Sequence, residues 1–595
     1  MAKNFTNQQI AHLLKSISAA YQIKGESLFK IMAYDRAATA IEHLTSEVKD
    51  YWDNNNLDSI PGIGASIAQH LDELFKTGKV KHFEEVLKGL PPAVFELIKI
   101  SGIGPKTAFK LCRYLKIWDK KNAFKKIKQA AESQKIRHLP GFGEESEKKI
   151  LEAIYKTEIK KKEKQRMLLP YANNQAEVIE KYAKINPLIL EIKPLGSLRR
   201  HCATVGDIDF AVKTKKPETA LNYLLEFPQI KKIINKGNKK ATVLLKNEIQ
   251  VDFRIQSPEQ WGSLLQHLTG SKQHNIKLRE FAQKKNLSLS EYGIKDLKKN
   301  KLIKTRTEKE FYRLLEMDWI PPELREDQGE IEAAYHHQLP KLVTLKEIKG
   351  DLHLHSNFDV EPSHDLGKNS IQEMIQKGKE LGYCYLGFTE HNPSINQHTD
   401  KQIISILSRK KALIDQIILT CSKKLNIKIL NGLEIDIKPD GQLAIPEKGF
   451  QYLDYAIVSI HTSFYGSQEK MTQRILRALE HPKVKILGHP TGRKLNVREG
   501  YEADWEKIFK FCKEHNKLME INAWPDRQDL PDILVRLAIE NKVPLVINTD
   551  AHSVEEMDLM KYGVYVARRG WATKENIINT YSFDKLIALL KIKDV

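Results

Sequence analysis

From residue 350 onward the sequence carries an ordered series of histidines and carboxylates: Gly350-Asp-Leu-His353-Leu-His355, Thr389-Glu-His391, Glu434, His461, His489 and Asn548-Thr-Asp550-Ala-His552. The His-x-His and Asp-x-His pairs sit after or within apolar, β-prone stretches. In a strand residues i and i+2 point to the same face, so both members of a pair can reach one metal ion. Imidazole with carboxylate, and almost no cysteine nearby, suits Zn, Mn or Fe and argues against a Cys-rich structural zinc site. Any one of these residues could simply cap a strand. The ordered set would require several strand ends to carry a costly, water-seeking group by accident. The chemistry such a set supports is phosphoester hydrolysis at a multinuclear centre holding up to three Mn²⁺, Zn²⁺ or Fe²⁺ ions.

A second carboxylate set lies upstream. Pro194-Leu-Gly196-Ser197-Leu-Arg-Arg200 is followed by Val205-Gly206-Asp207-Ile-Asp209-Phe210 and then by Ile249-Gln-Val-Asp252-Phe-Arg-Ile255. Asp207 and Asp209 are expected on one face of a strand, with Asp252 on a neighbouring strand completing a cluster. Three such carboxylates repel one another unless cations bind, and two Mg²⁺ or Mn²⁺ ions held there can flank both oxygens of a phosphoryl transfer. Ser197 and Arg200 would then lie near a triphosphate, where charge spreads in the transition state. A single Asp-x-Asp is commonly just a solvated strand end; the Gly-Ser and Arg-Arg upstream weigh against that here.

The elements needed to bring a substrate to these groups are also visible. Ile60-Pro-Gly62-Ile-Gly64, Ile100-Ser-Gly102-Ile-Gly104 and Leu139-Pro-Gly141-Phe-Gly143 repeat one pattern at nearly equal spacing, each between amphipathic helix patterns. Two glycines flanking an apolar residue allow a tight turn with positive φ and leave backbone N–H groups bare at the next helix start. Such a terminus binds phosphate, so each hairpin can grip a nucleic-acid backbone without reading its sequence. The charge is placed accordingly. Residues 1–345 hold 60 lysines and arginines against 42 acidic residues, and residues 346–595 hold 36 against 34. The basic part is the one expected to hold a polyanion. The lysine run at 160–164 reads as one solvated helix face linking two domains.

At 595 residues the chain has room for several domains. It is 41% hydrophobic without an 18-residue apolar run or a secretory-type start, so a cytoplasmic, nucleoid-associated protein with no membrane contact is expected. The five cysteines (Cys112, Cys202, Cys384, Cys421 and Cys512) are odd in number and form no C-x-x-C, which excludes a disulfide framework.

Taken together these motifs resemble a bacterial or archaeal family X DNA polymerase, polymerase-beta-like, with a C-terminal PHP (polymerase and histidinol phosphatase) domain. The resemblance runs from Leu28 to Trp571. It implies that Asp207, Asp209 and Asp252 are the metal-binding catalytic triad, and that Gly196, Ser197, Arg200 and Gly206 belong to the nucleotidyltransferase signatures. Gly270, within Leu268-Thr-Gly-Ser271, and Asn275 to Arg279 would face the incoming nucleotide. Lys30 and Tyr34 match the pattern that holds a 5′-phosphate in a gap, and the hairpin glycines Gly62, Gly64, Gly102, Gly104, Gly141 and Gly143 would contact DNA. The PHP ligands implied are His353, His355, Asp365, His391, Glu434, His461, His489, Asp550 and His552. Alignment backward from Gly367 favours Asp365, whereas alignment forward from His355 favours Asp359. The activities implied are gap-filling DNA synthesis in repair and Mn²⁺-dependent 3′–5′ exonuclease action, with AP-endonuclease action admitted. The partners would be gapped or nicked DNA, 3′ ends and dNTPs, and the protein a monomer.

The sequence departs from that family at two places. His70 stands where members that excise 5′-deoxyribose phosphate have a Schiff-base lysine, and His267-Leu268 stands where a Tyr-Phe pair discriminates against ribose. Lyase action and sugar selectivity therefore do not carry over. The expected architecture is multidomain, α/β and α+β: an N-terminal helical domain (1–85), helical fingers (86–160), a nucleotidyltransferase palm (161–256), a thumb-like nucleotide-facing domain (257–325), a linker (326–345) and a PHP domain (346–595) built as a distorted (β/α)₇ barrel. Two rival readings are a small-molecule phosphatase with a vestigial polymerase and a non-catalytic DNA-end scaffold.

Overall fold

A computed structural model describes residues 5–44, 47–60, 62–100, 102–162, 166–422 and 427–592. Pro61, Ser101 and the Glu163-Lys164 end of the lysine run lie outside the described residues. The chain divides into two compact units, Met1–Met167 and Leu168–Val595.

The first unit is helical, with one core from Ile10 to Val86 around Ile17, Leu71 and Phe75 and another from Ala93 to Ile154 around Leu97, Leu111 and Ile127. The three hairpins share one geometry. Gly62, Gly102 and Gly141 take φ of +78°, +85° and +84°, a region open to glycine at little cost. Gly64 and Gly104 are the extended N-caps of helices Ala65–Thr77 and Pro105–Tyr114, and Gly143 directly precedes helix Glu144–Lys162. Ile63 and Ile103, between the glycines, are buried and pin their turns to the cores.

The second unit begins with a five-stranded sheet in the order Glu191–Pro194, Ile208–Lys213, Gln250–Gln256, Lys240–Leu245, Ile230–Lys236. Only its second and third strands are parallel, and this pairing sets Asp209 beside Asp252. Helices Trp261–Thr269 and Lys272–Lys284 follow, then a three-stranded antiparallel sheet, Leu287–Ser290, Gly293–Asp296 and Lys301–Ile303. The stretch 326–345, expected as a linker, is a packed element. Glu330–Tyr335 is a helix whose Ile331 and Ala334 join Leu342 and Trp571 in one apolar cluster, so its apolar residues are spent on burial.

The C-terminal part, from Gly350 onward, is a parallel barrel. Gly350–Leu354, Tyr385–Phe388 and Lys428–Asn431 form one sheet, and Glu434–Asp436, Ala456–Ser459, Val484–Leu487, Leu518–Asn522 and Leu545–Asn548 form a second. Residues 428–436 make one strand broken at Gly432-Leu433, whose first half pairs with 385–388 and second half with 456–459. This gives seven strand positions. Each sends a side chain inward, from Leu352, Tyr385, Leu430, Ile457, Ile486, Leu518 and Val546, and helix Phe583–Leu590 closes that cluster with Leu586 and Leu590. A second, larger cluster lies between the strands and the surrounding helices. Among the described residues no helix is long and apolar enough to cross a membrane.

Tyr455 also belongs to the inner cluster, and its hydroxyl donates to the Leu352 carbonyl at 2.6 Å. Room for this ring exists because residue 387 is glycine: a Cβ there would sit 2.0 Å from the Tyr455 hydroxyl oxygen. Gly387→Ala is therefore expected to destabilise the barrel by about 1–3 kcal/mol through overpacking, read as a lower urea midpoint.

Candidate functional site

The histidine ladder converges at the C-terminal end of the barrel. His353 lies within the first strand and His355 just beyond it, His391 follows the second, Glu434 opens the second half of the broken strand, and His461, His489, Asp550 and His552 each follow a strand end. Glu434 is the hub. Its Oε2 lies 3.2 Å from His353 Nε2, 3.5 Å from His355 Nε2 and 3.0 Å from His391 Nδ1. Its Oε1 lies 3.0 Å from His489 Nε2 and 3.4 Å from His461 Nε2. Burial pushes this carboxyl up, but His353, His391 and His461 reverse that and hold it well below the usual carboxylate range. Asp550 Oδ1 sits 3.1 Å from His355 Nε2, and the His552 ring stacks on that of His355 with centroids 4.1 Å apart. His489 and Asp550 take φ of +27° and +58°. Non-glycine residues hold such angles when the surroundings impose them, as functional sites often do.

Of the two aspartates in the 357–367 segment, Asp365 lies against the ladder, 3.5 Å from His391 and 3.8 Å from His552. The Asp359 carboxylate instead accepts the backbone N–H of Glu361.

The donor set fits divalent metal ions. Overlapping groups of His and carboxylate atoms lie within 4.8 Å of one another: His353, His355, Glu434 and Asp550; His355, His391 and His552; Glu434, His461 and His489; and His364, His391 and His461. Several of their atoms are buried without a hydrogen-bond partner, among them His353 Nε2, His355 Nε2, His552 Nε2 and Glu434 Oε2. Orphaned buried donors and acceptors are costly unless a ligand satisfies them. The opposite ring nitrogens are held from outside: His353 Nδ1 by Glu520 at 2.7 Å, His461 Nδ1 by Asp436 at 2.6 Å and His552 Nδ1 by the Asp550 carbonyl at 2.9 Å. Such outer contacts fix the tautomer and aim the free nitrogen inward.

Sequence reasoning passed over His364, Asp436 and Glu520. His364 Nε2 lies 3.0 Å from Asp436, whose other partner is His461, and Glu520 Oε2 accepts the His489 backbone N–H at 2.6 Å. The signal for Glu520 was available: Glu520 and Asn522 form a polar i, i+2 pair in the otherwise apolar strand Leu518–Asn522.

In the five-stranded sheet Asp252 is fixed by the Thr242 hydroxyl at 2.5 Å and the Gln250 amide at 2.8 Å. The strand begins at Ile208, so Asp209 lies within it while Gly206 and Asp207 occupy the bend just before. Gly196, at φ +56°, lets the Gly-Ser loop close on Asp209: a Cβ there would lie 3.1 Å from Asp209 Oδ2. Ser197 accepts the Cys202 N–H through its carbonyl. The three aspartates are not among the groups gathered within 4.8 Å in the described residues.

Arg200 faces a different partner from the one its motif suggests. Its Nε donates to Glu326 at 2.8 Å and its Nη1 to the Thr269 carbonyl at 2.8 Å. Arg569 shares the same Glu326 oxygen at 2.9 Å, donates to the Arg200 carbonyl at 3.0 Å and pairs with Asp532 at 2.6 Å. Glu323 joins Arg568 at 2.8 Å nearby. Gly270 precedes Ser271, whose hydroxyl caps the 272–284 helix; Asn275 donates to the His267 carbonyl, and Arg279 Nε to the Asn275 carbonyl.

In the helical unit Tyr34 bonds His70 Nδ1 at 2.9 Å, and the His70 ring lies parallel to that of His82, centroids 4.8 Å apart. Burial and the neighbouring His82 lower the His70 pKa. Lys30 pairs with Glu26. Beside the first hairpin a groove of about 390 Å³ is lined by Phe29, Met32, Arg36 and Gly62 to Gly64.

Comparison with known proteins agrees with these parts. Family models match at residues 5–80 (helix-hairpin-helix domain), 94–156 (SAM-like helix-hairpin-helix tandem), 264–326 (DNA polymerase beta thumb) and 351–523 (PHP domain). A Bacillus subtilis protein named DNA polymerase/3′-5′ exonuclease PolX is 35% identical over 589 residues, 99% of this chain and 100% of that protein. Proteins named probable phosphatase match over shorter stretches. One from Caldicellulosiruptor saccharolyticus is 28% identical over 193 residues, 31% of this chain and 74% of that protein. Another from Clostridium botulinum is 27% identical over 232 residues, 37% of this chain and 87% of that protein.

Glu520→Gln, which weakens the carboxylate behind His353, is expected to lower divalent-metal affinity roughly 10- to 100-fold in calorimetric titration.

Proposed function

Because the chain belongs to the family X DNA polymerases that join helix-hairpin-helix segments and a polymerase beta thumb to a C-terminal PHP domain, we propose that it fills short gaps in DNA and trims 3′ ends at two separate centres. It is a DNA polymerase with 3′–5′ exonuclease activity, it uses divalent metal ions, and its substrates are DNA and dNTPs. The observation that carries the two-centre reading is the separateness of the two carboxylate sets. Asp209 and Asp252 are register partners in one sheet, and Glu434 is buried among five imidazoles at the end of another.

In the polymerase half Asp207, Asp209 and Asp252 would hold two Mg²⁺ or Mn²⁺ ions, which when bound neutralise the triphosphate and acidify the primer hydroxyl. Asp252, held by Thr242 and Gln250, would help take the proton of the primer 3′-hydroxyl. Gly196 brings backbone close to Asp209, Ser197 would lie near the triphosphate, and Arg279 offers an exposed guanidinium on the helix behind Gly270. Arg200 would bind the triphosphate by exchanging Glu326 for phosphate, both being acceptors that a guanidinium grips equally well. In the PHP half the nine ladder residues, Asp365 rather than Asp359 among them, would hold Mn²⁺, Zn²⁺ or Fe²⁺ ions, which supply Lewis-acid activation of the phosphodiester. The roles of Glu520 and Asp436 are to fix the imidazoles of His353 and His461.

The hairpin glycines present backbone N–H groups to DNA phosphates, and Lys30 and Tyr34 support a 5′-phosphate at a gap. His70, bonded to Tyr34, stands where a Schiff-base lysine would be needed, so gap binding by the helical unit does not rest on lyase chemistry at that residue. The enzyme works as a monomer in the cytoplasm, on the nucleoid. A small-molecule phosphatase would have no use for the retained palm triad.

Asp207→Ala is expected to abolish primer extension on gapped DNA and to leave 3′ trimming intact, while His353→Ala or Asp550→Ala does the reverse; equal loss of both activities in either variant would refute separate centres. Binding of gapped DNA should fall steeply as salt rises, because lysine and arginine contacts release counterions, and a flat response in a fluorescence-anisotropy titration would count against the basic unit as the DNA-holding surface.

A further inference from the structure

Two side chains at the rim of the PHP centre touch ladder residues without being ligands themselves. The loop 524–528 follows strand Leu518–Asn522 and is firmly held. The Trp524 carbonyl accepts the N–H groups of Arg527 and Gln528 at 2.9 Å each, and Arg493 Nε donates to the Arg527 carbonyl at 2.8 Å. Lys494 pairs with Asp526 at 3.2 Å, and the Leu495 N–H donates to the Asp526 carbonyl at 2.6 Å. From this fixed loop the half-buried Trp524 indole reaches His552, ring centroids 6.0 Å apart and nearly perpendicular. Arg527 points at Asp550, 4.0 Å away, and its guanidinium donates no hydrogen bond to any described residue.

A guanidinium carries five donors, and Arg527, ion-paired with Asp550 at the partly exposed rim, still has its hydrogen-bond donors open to an incoming anion. An indole beside a ligand residue presents an aromatic platform to whatever occupies the centre, and base–aromatic stacking with an arginine on the backbone is how single-stranded nucleic acid is held without sequence preference. The pair is set on a rigid loop, as a preorganised subsite requires.

We propose that Trp524 and Arg527 form the subsite for the 3′-terminal nucleotide of a single-stranded DNA end, Trp524 stacking on the base and Arg527 gripping the phosphodiester to be cleaved. This rests on the reading of the PHP centre as the 3′–5′ exonuclease. It gives the centre a preference for an end that carries a base.

The test compares two 5′-labelled single-stranded oligonucleotides, identical except that one ends in a base-bearing nucleotide and the other in an abasic tetrahydrofuran nucleotide, digested by the full-length protein with Mn²⁺. The wild type should show a KM for the base-bearing end roughly 5- to 100-fold below that for the abasic end. Trp524→Ala should erase the difference by raising only the first KM, Trp524→Phe should restore most of it, and Arg527→Ala should weaken both substrates alike. Equal loss on both substrates in Trp524→Ala, or an unchanged ratio, overturns the subsite. Failure of the wild type to trim either end overturns the exonuclease reading beneath it, a result distinct from a variant that still trims both.

Discussion

A single buried carboxylate among five imidazoles organises the C-terminal half of this protein. Glu434 could not stay ionised at that depth without the histidines, and the histidines would not share so small a volume without a common acceptor. Holding them there takes the whole barrel. The inward layer from Leu352 to Val546 fills the space beneath, and the break at Gly432-Leu433 steps the third strand across to a new neighbour and brings Glu434 to the mouth. Gly387 and Gly432 are small for the same reason: Tyr455 needs their space. The site is thus a consequence of how seven strands of unequal length close.

Much of this was legible in the sequence because strands have a period of two and barrels gather chemistry at one end. His353 and His355 fall in one group as their spacing suggests, whereas Asp550 and His552, beyond the strand end, fall in different ones, Asp550 with His353 and His355 and His552 with His355 and His391. The hairpins were legible for a related reason, since a glycine at positive φ followed by a glycine at a helix start is a local event. What escaped depends on distant pairing. Glu520 matters through His353, 167 residues away, and His364 through Asp436 and His461. Which of Asp359 and Asp365 lies against His391 likewise depends on the path of the 357–367 segment, and it is Asp365. The stretch 326–345, expected as a linker, packs through Ile331, Ala334 and Leu342 against Trp571, a partner far along the chain that no local pattern shows.

Arg200 shows a different limit. Its motif announces phosphate, and its side chain is found on Glu326 and the Thr269 carbonyl. Both facts are compatible, because a guanidinium that waits on a carboxylate is oriented and desolvated in advance. Nothing local to residues 194–200 could reveal that the waiting partner is shared with Arg569, 369 positions further along.

That shared carboxylate has a consequence for motion. On the polymerase side of the seam stand one cation, Arg200, and one anion, Glu326; on the PHP side stand Arg569 and Asp532. Each side is electrically neutral by itself. Parting them at this point would break hydrogen bonds, at about 1.5–3 kcal/mol for each one to a charged group, without stranding a bare ion, a penalty of several kcal/mol. Nearby, Glu323 would lose Arg568 but keep His201 at 3.5 Å. At this point the seam is closed by hydrogen bonds between two neutral ion pairs, and beside it Trp571 is buried with Ile331, Ala334 and Leu342.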